Sequence, residues 1–123
     1  MSKKILIVED EEDMLETLKY KLESEGHIIS CASDGEEGYQ KYKEINPDLI
    51  ILDLGLPKIT GEEICRRIRK DDSDWNTKIL MLTARNTEVD KIAGRVKGAD
   101  KYMFKPFEWD ELIENINSLL NAS

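Results

Sequence analysis

Three short runs of apolar residues, at positions 5–8, 49–52 and 79–82, constrain this chain more than any other feature. Each is unbroken: Ile5, Leu6, Ile7 and Val8; Leu49, Ile50, Ile51 and Leu52; Ile79, Leu80, Met81 and Leu82. A strand with one wet face alternates apolar and polar side chains, so a continuous run marks a strand covered on both faces, as in a parallel sheet. Two weaker runs, HIISCA at 27–32 and KYMF at 101–104, read as strands nearer the sheet edges.

Helical patterns fill the intervals. Met14, Leu15, Leu18 and Leu22 share one face, with Asp13 and Glu16 spaced as a cap pair and Gly26 placed to end the helix. A second helix follows Asp34 and stops before Asn46 and Pro47, because the residue before proline avoids the helical region. Thr60 and Glu63 form a capping box for a third, which carries Ile64, Cys65 and Ile68. A fourth begins at Thr87, with Val89, Ile92, Ala93 and Val96 at helical spacing and Gly98 beyond its end. Phe107 and then Leu112, Ile113, Ile116, Leu119 and Leu120 give a fifth.

Five strand–helix units in strict alternation predict a doubly wound (βα)5 three-layer sandwich with a parallel sheet. The commonest strand order for five is 2-1-3-4-5, which sets the first and third strands side by side where the winding reverses. Ligands bind at that point, at the carboxyl ends of the strands. A length of 123 residues suits a single domain spanning 1–123.

Charge narrows the function classes. A net charge of -8 argues against nucleic-acid contact by this domain, since phosphate backbones need a basic face. The only two cysteines, Cys31 and Cys65, have neither disulfide nor zinc spacing and read as small buried thiols of a reducing cytoplasm. The apolar stretch near the start is too short for a signal peptide's core, and no segment reaches the length of a membrane span. The expected location is cytoplasmic. His27 reads as surface or edge-strand structure, and Trp75 lies in a polar loop.

The residues at the strand tips form an unusual set: Glu9 and Asp10 after the first strand, Asp53 after the third, Thr83 after the fourth and Lys105 near the end of the fifth. Taken singly they are a solvated turn, a surface lysine and a hydroxyl on the approach to a helix. In the predicted strand order they converge on one rim. Three carboxylates so close need a cation to remain ionised, and hard oxygen ligands suit magnesium with a phosphate. Asp53, on the central strand, is placed to act as a nucleophile toward phosphorus and form an aspartyl phosphate. Glu11, Glu12 and Asp13 complement the dipole of the first helix instead.

With ED at 9–10, LDLGLP around Asp53, LTA at 82–84 and KPF at 105–107 in order, the whole chain resembles the receiver domain of two-component response regulators. The resemblance implies that Asp53 accepts a phosphoryl group from a sensor histidine kinase or phosphotransfer protein. It implies Mg2+ held by Asp10, Asp53 and the backbone carbonyl of Gly55, with Glu9 assisting directly or through water. Thr83 and Lys105 would hold the phosphoryl oxygens, Tyr102 would be the switch aromatic, and the bond before Pro106 would be cis. The domain would be a signalling switch that catalyses only its own phosphorylation and slow dephosphorylation. Its output would lie in a downstream protein or in a C-terminal domain absent from this chain, with no membrane partner.

Departures from the family pattern matter. Glu9 replaces the commoner Asp, and Gly55 offers no side chain to shield a phosphoryl group from water. Arg85 is long enough to reach over the same opening and is expected to shield it in part. The C-terminal helix lacks the arginines of the winged-helix regulators' dimer face, and Lys101 replaces an acid there, which argues against that dimer. Two other classes compete. A haloacid-dehalogenase-like phosphatase or phosphotransferase needs a second acid where Gly55 stands, and a cap domain. A flavin or nucleotide binder wants glycines and hydroxyls where this chain has five acids. A phosphorylation-independent receiver is countered by the filled site positions.

Overall fold

A computed structural model describes residues 3–72, 76–84 and 98–121. Five strands, β1 (Lys4–Val8), β2 (Ile28–Ala32), β3 (Leu49–Leu52), β4 (Lys78–Ala84) and β5 (Lys101–Lys105), form one sheet of order β2-β1-β3-β4-β5. Every pairing is parallel. Four helices are described: α1 (Glu12–Ser24), α2 (Gly35–Ile45), α3 (Gly61–Asp71) and, at the C-terminal end, α4 (Trp109–Leu120). The predicted helix from Thr87, together with Arg85 and Trp75, lies outside the described residues.

The unbroken apolar runs follow from two-sided covering. Successive strand side chains point to opposite faces. Leu6, Val8, Ile50, Leu52, Ile79 and Met81 therefore pack with Tyr42 of α2 and Ile64, Cys65 and Ile68 of α3. Ile5, Ile7, Leu49, Ile51, Leu80, Leu82 and Met103 meet Leu18 and Leu22 of α1 and Leu112 and Ile116 of α4 on the other side. A fully buried aliphatic side chain contributes about 1.5–3 kcal/mol. The three central strands, each sealed on both faces, are thus the rigid part of the molecule.

Four expectations need correction. Asp13 does not cap α1: the cap position is Glu11, whose side chain makes no cap bond, and Asp13 lies in the first turn with Glu12. The helix N-terminus is served there by negative charge, not by a side-chain acceptor. The capping box of α3 is half formed. Thr60 Oγ1 accepts from the Glu63 N–H at 3.2 Å, but the Glu63 carboxylate turns to Arg66 and Arg67, which draw its pKa down to about 2. Phe107 precedes α4 and packs edge-on to Trp109 at 5.0 Å between ring centres. Cys31 is only half-buried because β2 is an edge strand; Cys65 is fully buried, and burial pushes its thiol up to about 11.

The end of α3 is fastened to the sheet by a mostly buried guanidinium. Arg69 donates to the carbonyls of Gly98 (2.7 Å) and Thr77 (2.6 Å) and to Asp100 Oδ2 (2.8 Å). Asp72 Oδ2 accepts the Thr77 N–H at 2.8 Å, and Thr77 Oγ1 donates to the Pro47 carbonyl at 3.0 Å. Burial alone would raise the Asp72 carboxyl, yet the N–H groups of Thr77 and Asn76 and the charge of Arg69 hold it below the usual carboxylate range. A depressed carboxyl pKa adds stability that is complete above the unfolded value and is lost as pH falls through the folded one. Asp72→Ala is expected to cost about 1–3 kcal/mol at pH 7. In chemical denaturation at a series of pH values, the gap from the parent protein should close in acid; a gap that widens in acid would reject this account.

Candidate functional site

Glu9 and Asp53 prolong the sheet's hydrogen bonding one residue past the strands that carry them. The Glu9 N–H donates to the Ala32 carbonyl at 3.0 Å and the Asp53 N–H to the Val8 carbonyl at 3.3 Å. Thr83 lies inside β4, not after it, and Lys105 is the last residue of β5, joined to Pro106 by a cis peptide bond. Because β1 and β3 are neighbours at the reversal of winding, these tips share one rim. Carboxylate oxygens of Glu9, Asp10 and Asp53 lie within 4.8 Å of one another.

The two Asp53 oxygens differ in their surroundings. Oδ1 accepts the Thr83 hydroxyl at 2.7 Å and the Gly55 N–H at 3.0 Å. Oδ2 has the Lys105 ammonium at 3.6 Å. Lys105 also makes a close ion pair with Glu9 Oε1, while Glu9 Oε2 accepts the Glu11 N–H at 3.1 Å. Glu9 is 3% exposed and Asp10 is exposed. Burial pushes the Glu9 carboxyl up, against the pull of Lys105 and the Glu11 N–H, and the Asp53 charge adds to the rise. Burial works to lower the Lys105 ammonium, but the bond to Glu9 and the charge of Asp53 outweigh it and the net shift is upward.

Three clustered carboxylates, two of them facing one ammonium, leave a formal excess of two negative charges. One divalent cation would balance it, and oxygen donors partly open to water suit Mg2+, which retains several waters. The donor set therefore fits a magnesium ion. Tyr102, beside Met81 in the β4–β5 register, is half-buried against the α2–α3 side, and burial pushes its phenol up to about 12.

Sequence reasoning missed what fixes the loop after Asp53. A Cβ on Gly61 would sit 2.2 Å from the Asp53 carbonyl oxygen, and one on Gly35 would sit 1.9 Å from the Ile59 carbonyl oxygen. The Gly35 N–H donates to the Pro57 carbonyl at 3.2 Å and the Gly61 N–H to the Leu54 carbonyl at 3.3 Å. Lys58, at a φ of 69°, reaches Asp34 at 3.5 Å. Residues 54–60 are thus held between the starts of α2 and α3. The available signal was a glycine directly after each helix-capping residue, Asp34 and Thr60.

The family model of the response regulator receiver domain matches residues 5–117. The chain belongs to this family. It is 45% identical over its full length to the alkaline phosphatase synthesis transcriptional regulatory protein of Bacillus subtilis, covering 50% of that protein. It is 40% identical over 98% of its length to a transcriptional regulatory protein of Mycobacterium tuberculosis, covering 46% of it. The receiver domain here thus spans about half the length of the curated relatives it matches. Among solved structures, a putative response regulator from Chloroflexus aurantiacus aligns with a TM-score of 0.88 at 36% identity, over 99% of this chain and 100% of that one. A response regulator from Thermotoga maritima, in complex with Mg(2+)-BeF, aligns at 0.83 and 40% identity, over 95% and 98% of the two chains. Receiver domains are signalling switches that bind Mg2+ at an acidic site, and the receiver described here has an acidic cluster that fits one. No described helix is long and apolar enough to cross a membrane.

A side chain at position 61 would force the Asp53 backbone to move. Gly61→Ala is expected to destabilise the fold by about 1–3 kcal/mol and to weaken Mg2+ binding measured by titration calorimetry. Parent-like melting and affinity together would show that the clamp is unimportant.

Proposed function

We propose that this domain is the phosphoacceptor of a two-component phosphorelay and that Asp53 is the residue modified. The observation that carries the reading is the company of Asp53: two further carboxylates within 4.8 Å, the Thr83 hydroxyl on one oxygen and the Lys105 ammonium near the other. With Oδ1 already accepting two donors, Oδ2 is the oxygen available for attack. The P–O bond forms at Oδ2 as the bond from phosphorus to the donor's histidine nitrogen breaks, and that nitrogen keeps the electron pair. Lys105 stands where it meets the charge of the transferred group, and the hydroxyl of Thr83 is close enough to exchange its Asp53 partner for a phosphoryl oxygen. Asp10 and Asp53, with Glu9 and the Gly55 carbonyl, would hold Mg2+, whose charge offsets the repulsion between carboxylates and phosphoryl group. Catalysis is then mostly positioning and charge neutralisation.

The donor in this reading is a sensor histidine kinase or a phosphotransfer protein, and the domain is a switch rather than an enzyme with a released product. Phosphorylation adds charge and acceptor oxygens at one point. Movement of Thr83 toward them would be coupled to Tyr102 on the neighbouring strand, changing a partner-binding face. Residues 1–123 would act as one receiver module. Its output would belong to a downstream protein or to a C-terminal domain, as suits relatives that are transcriptional regulators of about twice its length.

Incubation with Mg2+ and acetyl phosphate, followed by intact-mass spectrometry, tests the assignment. The expected result is a mass gain of one phosphoryl group that requires Mg2+ and vanishes in Asp53→Asn. The same gain in Asp53→Asn would exclude Asp53 as the acceptor.

A further inference from the structure

The end of the sheet opposite the acidic rim carries the chain's only histidine. His27 stands between α1 and β2, directly after Gly26 at a φ of 92°. Backbone bonds fix its place: its N–H donates to the Leu22 carbonyl at 3.2 Å, and the Ile28 N–H donates to the Lys3 carbonyl at 2.9 Å. The half-buried ring lines a cavity of about 360 Å3 with Lys3, Glu25, Asn117, Leu120 and Asn121, so the end of α1, the start of β2 and the last turn of α4 meet around it. Its Nδ1 is buried and, among the described residues, has no hydrogen-bond partner.

A neutral ring with its proton on Nε2 tolerates an unpartnered lone pair at Nδ1. A proton added at Nδ1 creates a buried, charged donor without an acceptor, which costs far more. The charges around the ring divide: Glu25 at the end of α1 favours the cation, while burial, the largest influence, and the positive amino terminus oppose it. Lys3, before β1, is a further cation on the same cavity, and α4 presents only Leu120 and the amides of Asn117 and Asn121. The carbonyl end of α1 attracts cations too. Its carbonyls, however, already accept the N–H groups of Glu25, Gly26 and His27, and an unaimed Nδ1–H gains little from them.

We propose that His27 is a pH-sensitive latch at the base of the sheet: neutral, it keeps the α1–β2 turn closed against α4; protonated, it swings out to bring Nδ1–H to water or the Glu25 carboxylate, and the turn opens. Closure is complete above 6.5, the ordinary histidine value that applies to the open turn, weakens as pH falls below it, and stops weakening below the lower value of the closed form. Neither Asp53 nor a metal takes part.

NMR of the parent protein tests the latch, and a single histidine makes its ring signals unambiguous. The ring nitrogens are expected to show the Nε2–H tautomer at about pH 8 and a titration midpoint below 6.5. Amide exchange, corrected for intrinsic rates, should show protection of the Ile28 N–H falling by about tenfold or more between about pH 8 and about pH 5, while Ile50 and Ile51 of β3 lose less. His27→Gln, which never carries the charge, should remove that difference; the parent's own readings decide the matter if the variant does not fold. A midpoint at or above 6.5, an Nδ1–H tautomer, or Ile28 protection that falls no further than that of β3 would overturn the proposal. So would an equal selective loss at Ile28 in His27→Gln.

Discussion

The ammonium of Lys105 is the charge on which the rim depends. It lies against Glu9 and Asp53, two of three carboxylates that would otherwise repel one another across less than 5 Å. One positive charge offsets part of that repulsion and leaves a deficit that suits a divalent cation, so the site is held short of electrical balance. A fully neutral cluster would have little demand for a metal, and it is the metal's charge that would make room for an anionic phosphoryl group. The upward shifts of Glu9 and Lys105 resolve the tension between burial and charge in opposite ways: at Glu9 burial prevails over the pull of Lys105, whereas at Lys105 the bond to Glu9 and the charge of Asp53 prevail over burial.

The scaffold serves this arrangement by rigidity. Strands β1 and β3 are sealed on both faces, and their ladder runs on through the N–H groups of Glu9 and Asp53, so the acids stand on the least deformable part of the sheet. The loop beyond Asp53 is anchored by Leu54 and Leu56, which are buried in the core, with Ile59 packed against it. It is held further by two glycines that let helix starts approach its carbonyls, and by the Lys58–Asp34 pair.

Much of this was legible in the chain because it depends on periodicity and order. Unbroken apolar runs gave the parallel sheet and its covered strands, and the residues following them gave Glu9, Asp10, Asp53, Thr83 and Lys105, which the fold does bring to one rim. What escaped was set partly by competition within a single helix and partly by tertiary contact. Asp13 carried a cap-like spacing, yet the helix starts one residue earlier and uses charge. Glu63 had the capping-box position, but two guanidiniums outcompeted one N–H for it. Cys31 looked buried because its neighbours are apolar, and an edge strand covers only part of it. Gly35 and Gly61 gave no local reason for their identity, since the atoms that exclude a side chain there come from residues brought close only by folding.

A structure of the protein with Mg2+ and beryllofluoride, a mimic of the phosphoryl group, tests the central claim most directly. The account predicts beryllium joined to Asp53 Oδ2, a Mg2+ ion beside Asp10, and Thr83 Oγ1 moved from Asp53 onto a fluorine. Beryllofluoride on another carboxylate, or a Thr83 hydroxyl still bonded to Asp53 in the loaded protein, would contradict it.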